Sequence, residues 1–146
     1  MSAAPLVVSP ADQPPALHVL GVDVTVLATN EQTRGYEITL VEGDVDMGPP
    51  PHSHGWDESF YVLAGSVEMV LAGRARSCSA GTLVHVPAGT VHGFTFGREG
   101  GRLLEITGAG GQATSMFTRV DREIPPGPPD LAAVTRVLGM HGVTLA

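Results

Sequence analysis

From Ala16 to about Thr107 the chain is a succession of short β-branched or aromatic runs, each soon broken by Gly, Pro or Asp. That punctuation constrains the fold most: it excludes long helices there and asks for many short strands joined by turns. The expected strands are Leu17–Leu20, Val24–Ala28, Tyr36–Val41, Glu58–Leu63, Val67–Leu71, Arg74–Cys78, Leu83–Val86, Gly93–Phe96 and Leu103–Ile106. In Tyr36-Glu-Ile-Thr-Leu apolar and polar residues alternate, the period-two mark of a half-buried strand, so Tyr36 is expected on the core face with Ile38 and Leu40, or as a donor at a pocket edge. Ala72-Gly73 reads as a tight hairpin turn. Strands this short at this spacing predict an all-β, antiparallel sandwich or barrel.

The flanks differ in texture. Residues 1–15 carry Pro5, Pro10, Pro14 and Pro15 and read as an extended arm; residues 16–107 are the barrel. Residues 108–146 open on Gly108-Ala-Gly-Gly, a flexible lid segment in which Ser115–Val120 forms one or two helical turns. A Pro-rich link from Ile124 follows, then a short amphipathic helix with Asp130 as N-cap, Leu131, Val134, Val137 and Leu138 on one face, and Gly139 as its stop. A chain of 146 residues has room for one such domain.

Charge narrows the partners. All eight basic residues are Arg, against fifteen acids, and a net charge of −7 excludes a basic nucleic-acid surface as the main business of the chain. The single Cys78 excludes an internal disulfide framework and reads as a small hydrophobe on a strand. The N-terminus lacks a basic region before its short apolar run, and no window approaches the ~20 apolar residues of a spanning helix, so no membrane partner and a cytoplasmic location are expected.

Two segments carry chemistry. In Gly48-Pro-Pro-Pro-His52-Ser-His54-Gly-Trp-Asp-Glu58, the two histidines stand two apart and share a face of an extended segment, with Glu58 in the same phase. In the second segment, Pro87-Ala-Gly89 turns the chain and delivers His92. Three imidazoles and a carboxylate converging inside a small barrel suit a divalent transition ion: Fe, Ni, Cu or Zn by imidazole preference, with Mn and Co added by the carboxylate.

These residues resemble the cupins, whose first motif is G-x5-H-x-H-x3/4-E-x6-G and whose second is G-x5-P-x-G-x2-H-x3-N. His52, His54, Glu58 and Gly65 match the first; Gly81, Pro87, Gly89 and His92 match the second. Asp46 stands where the opening Gly belongs and Phe96 where the closing Asn belongs, both outside the ligand set. The resemblance covers roughly residues 30–107. It implies a jelly-roll barrel in which His52, His54, Glu58 and His92 hold one metal ion per chain.

Around the motifs, Phe60, Phe94 and Phe96 share parity with the ligands and either line a pocket or fill core; Met116 and Phe117 either close the barrel mouth or cover strand surface. Trp56 either packs at the rim or stacks on substrate. His18, His85 and His141 have no ligand-spaced partner, and His85 is expected on the outer sheet face or at an oligomer contact, with a pocket role as the alternative. Within the cupins, Pro-Pro-His-x-His-x3-Glu-x-Phe-Tyr-Val-Leu-x-Gly looks most like small one-domain members related to quercetin 2,3-dioxygenase. That likeness implies a dioxygenase on a chelating, flavonol-like or polyketide-type small molecule, with Glu58 doubling as catalytic base. The same ligands also serve a non-redox polyketide cyclase or isomerase, or a cupin that only binds small molecules. Cupins of this kind commonly pair N-terminal strands, so a homodimer is expected.

Overall fold

A computed structural model describes residues 3–146. The elements are β1 Leu17–Val19, β2 Val22–Ala28, α1 Asn30–Thr33, β3 Glu37–Gly43, β4 His52–His54, β5 Glu58–Leu71, β6 Arg74–Ser79, β7 Leu83–Val86, β8 His92–Thr107, α2 Ala113–Glu123, α3 Leu131–Met140 and β9 Val143–Leu145. All strand pairings are antiparallel. The path runs β1-β2-β3-β8-β4-β9, with β5 joined to β6, β7 and β8, and the sheet curls into the expected jelly-roll barrel.

The barrel is organised by β5 and β8, which pair from Glu58↔Thr107 to Leu71↔His92. Each was expected as two strands. Each is instead one long strand bent in the middle, with register shifts between Val62 and Val67. The glycines read as breaks make the bend: Gly65 has φ +68° and approaches the Gly100 carbonyl so closely that a Cβ would lie 2.2 Å from it. Residues near the bend face inward and are wholly apolar, among them Val62, Val67, Phe96 and Leu103. Because the sheet folds over there, the far ends of the β5–β8 ladder meet again at the mouth, where Glu58 and His92 touch.

Tyr36 departs from expectation. It precedes β3, is 47% exposed, and its backbone is held by the Thr33 hydroxyl after α1. The polar members of the alternation, Glu37 and Thr39, turn inward with Val41, while half-buried Ile38 and buried Leu40 take the other face. Periodicity locates a strand's two faces without saying which turns inward, and here the barrel interior near the mouth is polar.

The C-terminal region holds more than one short helix. In α2, Ala113, Met116, Phe117 and Val120 form a buried stripe at helical spacing, and the helix packs on β1 and β3. Asp130 caps α3 as expected, accepting from the Ala132 and Ala133 amides at 3.0 and 3.4 Å. Gly139 does not stop that helix, which runs to Met140. The unforeseen β9 then pairs with β4, matching His52↔Leu145 and His54↔Val143. The arm expected over 1–15 is described from Ala3, is mostly exposed, and contains one helical turn at Pro10–Asp12; residues 1 and 2 lie outside the described residues. Among the described residues, no helix is long and apolar enough to cross a membrane.

Candidate metal centre

Four side chains from three strands converge at the mouth. His52 and His54 come from β4, Glu58 opens β5, and His92 opens β8 directly opposite His52. One potential ligand atom from each lies within 4.8 Å of all the others. Glu58 Oε2 is 2.9 Å from both His54 Nε2 and His92 Nε2.

The imidazoles are aimed by their backbone. Each Nδ1 donates to a carbonyl two residues away: His52 to Pro50 at 2.8 Å, His54 to Trp56 at 3.0 Å, and His92 to Thr90 at 2.8 Å. That turns Nε2 of each ring toward the cluster, the arrangement that orients histidine toward a metal. Trp56 also stacks on His54, with ring centroids 4.2 Å apart and planes 7° from parallel. The Pro-rich run before His52 and the Pro87-Ala-Gly89 turn before His92 supply the stiff backbone these contacts need. Donor types, spacing and aim fit one divalent transition ion.

Burial and the Glu58 carboxylate set the electrostatics of the cluster. Burial drives the His52 imidazolium down to about 4. His92 moves the other way: burial opposes its charge, yet Glu58 and the Thr90 carbonyl outweigh it. Glu58 is buried, which disfavours its anion, but hydrogen bonds from Glu105, His54 and His92 hold it well below the usual carboxylate range.

Glu105 was not foreseen. It is buried against Glu58, and desolvation together with the Glu58 and Glu37 charges pushes it well above the ordinary range. Glu37 accepts from the Thr114 amide, 3.4 Å away, at the start of α2. Nothing in the local sequence marks either residue as interior; the signal is strand register, which sets Thr39 beside Glu105 and Glu37 beside Thr107. Among the described residues, three buried side-chain polar atoms make no hydrogen bond within 3.5 Å: Thr39 Oγ1, Trp56 Nε1 and Thr114 Oγ1. Each such group costs about 1–3 kcal/mol.

A cavity with about 70 Å³ of free space opens beside the cluster. Its walls are apolar and include Phe60, Phe94, Met116 and Phe117. Phe96 lies deeper, its ring wedged between Gly43 and Gly101, and like Tyr36 it is not part of the wall. His85 faces outward with Ser59 at 2.9 Å, and exposed His18 pairs with Asp23 at 2.6 Å. His141 is buried and donates to the Val137 carbonyl. None of these three joins the cluster.

Comparison with known proteins agrees with this architecture. The family model for the cupin domain matches residues 36–107. Among solved structures, the polyketide cyclase RemF from Streptomyces resistomycificus is 26% identical, with a TM-score of 0.63 over 72% of this chain and 80% of its own. An RmlC-like cupin from Shewanella frigidimarina is 16% identical, with a TM-score of 0.67 over 78% of this chain and 99% of its own. Oxalate decarboxylase from Bacillus subtilis is 18% identical, with a TM-score of 0.59 over 74% of this chain and 31% of its own. Identities this low for the latter two show shared fold alone. No curated protein sequence matches significantly. Motif, barrel and family match agree: the chain belongs to the cupin superfamily.

Proposed function

We propose that this protein is a metal-dependent enzyme acting on a small, enolisable molecule that chelates through adjacent oxygens. The carrying observation is the convergence of His52, His54, Glu58 and His92 within 4.8 Å, at the polar end of an otherwise apolar cavity. The four residues are the proposed ligands of one divalent ion, with Fe, Mn, Ni, Co, Cu and Zn all compatible with the donor set. Bound there, the ion would polarise a chelating oxygen and make a neighbouring C–H or O–H proton more acidic.

Glu58 is the proposed base. It lines the cavity, and its carboxyl lies within hydrogen-bond distance of His54 and His92, at the place where a chelating ligand would present its acidic proton. The apolar wall excludes bulk water from that exchange. Proton transfer without oxidation is the chemistry of a cyclase or isomerase, and the 26% identity to a polyketide cyclase supports that reading. A quercetinase-like dioxygenase is the second reading, favoured by the spacing of the first motif.

Turnover of β-diketone, flavonol and aromatic polyketide substrates in air and under nitrogen separates the two: the cyclase or isomerase keeps its rate without dioxygen, the dioxygenase loses it. In Glu58→Gln, turnover should fall ~10²–10⁴-fold with metal retained. Near-normal turnover would reduce Glu58 to a ligand.

The free space suits a compact ligand, so a flavonol-sized molecule requires Met116 and Phe117 to move aside as a lid. Apolar groups exposed on the outer face, Tyr61 paired with Leu83 and nearby Leu63, together with Leu6 and Val7 of the arm, support a homodimer. Sedimentation showing a monomer at micromolar concentration in low and high salt would exclude it.

A further inference from the structure

Three neighbouring strands arrange their inward side chains in layers. Register places Glu37, Thr107 and Glu58 in the layer at the mouth, Thr39, Glu105 and Phe60 in the next, and Val41, Leu103 and Val62 in the deepest. The deepest layer is ordinary apolar core. The two above it bury five polar side chains that fold stability alone does not call for.

These five are not equivalent. Glu58 belongs to the cluster, and Glu37 is engaged at the start of α2. Glu105 alone among the other carboxyls lines the cavity. It is 6% exposed, lies against Glu58, and stands opposite buried Thr39 in the strand register. One wall of the cavity thus carries a buried carboxyl, immediately beside the atoms that would hold a chelating ligand. Elsewhere that wall is Phe, Val, Leu and Met, which contribute shape and no polar discrimination.

We propose that Glu105 is a specificity-determining residue that hydrogen-bonds a ligand hydroxyl adjacent to the chelating pair. The site then selects compact molecules with three contiguous oxygen functions over those with two. This rests on the reading that a chelating small molecule binds at the cluster. Geometry sets the spacing: Glu105 and Glu58 are in contact, so a group reaching Glu105 sits next to the group held at the cluster. Size sets the scale: about 70 Å³ of free space is under half the ~150 Å³ of a cavity that takes benzene, so the ligand is at most one small ring whose oxygens sit at the cluster.

Catechol and pyrogallol differ by the one hydroxyl in question, and both chelate through neighbouring oxygens. Cobalt(II) uptake by wild-type protein, followed by its absorption spectrum, comes first, and both probes are then titrated under argon. Wild type should bind pyrogallol ~10-fold tighter than catechol, the effect of one hydrogen bond to a buried carboxyl. Glu105→Leu should bring the two affinities within twofold while cobalt content and catechol affinity hold; Glu105→Met serves where the leucine variant does not fold. Glu105→Gln should keep most of the preference. A preference that survives Glu105→Leu, or weakening of both probes and cobalt in parallel, would show that Glu105 only positions Glu58 and would overturn the proposal. So would a wild type that binds neither probe or binds both alike. Absence of cobalt uptake refutes the metal reading and the proposal with it; uptake without preference refutes the proposal alone.

Discussion

The two ends of the barrel are built from the same strands and bury opposite kinds of side chain. At the bend of β5 and β8, Val62, Val67, Phe96 and Leu103 pack at no more than 1% exposure, with no polar atom among their side chains. At the mouth, the same strands bury Glu58, His92, Glu105 and Thr107 almost as completely. Burial alone therefore does not say what a residue is for. The bend gains stability from apolar area removed from water, about 25 cal/mol per Å². The mouth gives some of it back in desolvated charge and unpartnered polar atoms. Such a cost is tolerated where the groups act on something that binds there.

The comparison can be broken most visibly at the bend. Phe96→Ala should lose ~3–5 kcal/mol of stability in denaturant unfolding, because Gly43 and Gly101 flank the ring and have no side chain to fill the void. Metal bound per folded chain should not change. A loss below ~1 kcal/mol would mean the bend is not the stabilising end.

A second test sharpens the boundary at the mouth. The ligand strand β4 has one register pair with β8 and three with β9, and the Ala146 amide donates to the Pro51 carbonyl. Ending the chain after Gly142 should therefore weaken metal binding ~10–100-fold in a competition titration, since β9 aims His52 and His54 without ligating. Unchanged affinity would assign β9 to plain edge protection.

The smallest effect is one of pH. Glu105 is held above the ordinary carboxyl range, so folding retains a proton that the unfolded chain releases near pH 4.5. The stability linked to that proton is fully present below pH 4.5 and is lost as pH rises toward the folded value. In metal-free protein, Glu105→Gln should thus raise Tm by roughly a few degrees at pH 7.5 and by less toward pH 4.5. A gain that grows as pH falls would reverse the assigned direction.

How much of this was legible depended on range along the chain. Local alternation and turn residues located β1, β2, β6 and β7 to within a residue or two, because those signals are carried inside each strand. The cluster residues were legible because His-x-His and the Pro-x-Gly turn are local spacings. β4 and β9 were not: three residues each, they exist as strands by pairing with segments far off in sequence. The inward turn of Glu37, Thr39 and Glu105 was hidden likewise, since register across β3, β8 and β5 decides it. The α2 stripe is local, but the glycines before it mask its length, so the sequence marks only Ser115–Val120 of Ala113–Glu123.

One metal ion on His52, His54, Glu58 and His92 would account for the polar mouth. The most direct test of that assignment is elemental analysis of purified protein, metal per chain, across wild type and four single variants. About one ion per chain is expected in wild type and in His18→Ala and His85→Ala, whose side chains lie outside the cluster. A value far below that is expected in His54→Ala and His92→Ala. Metal retained in the latter pair, or lost from the former, would contradict the assignment.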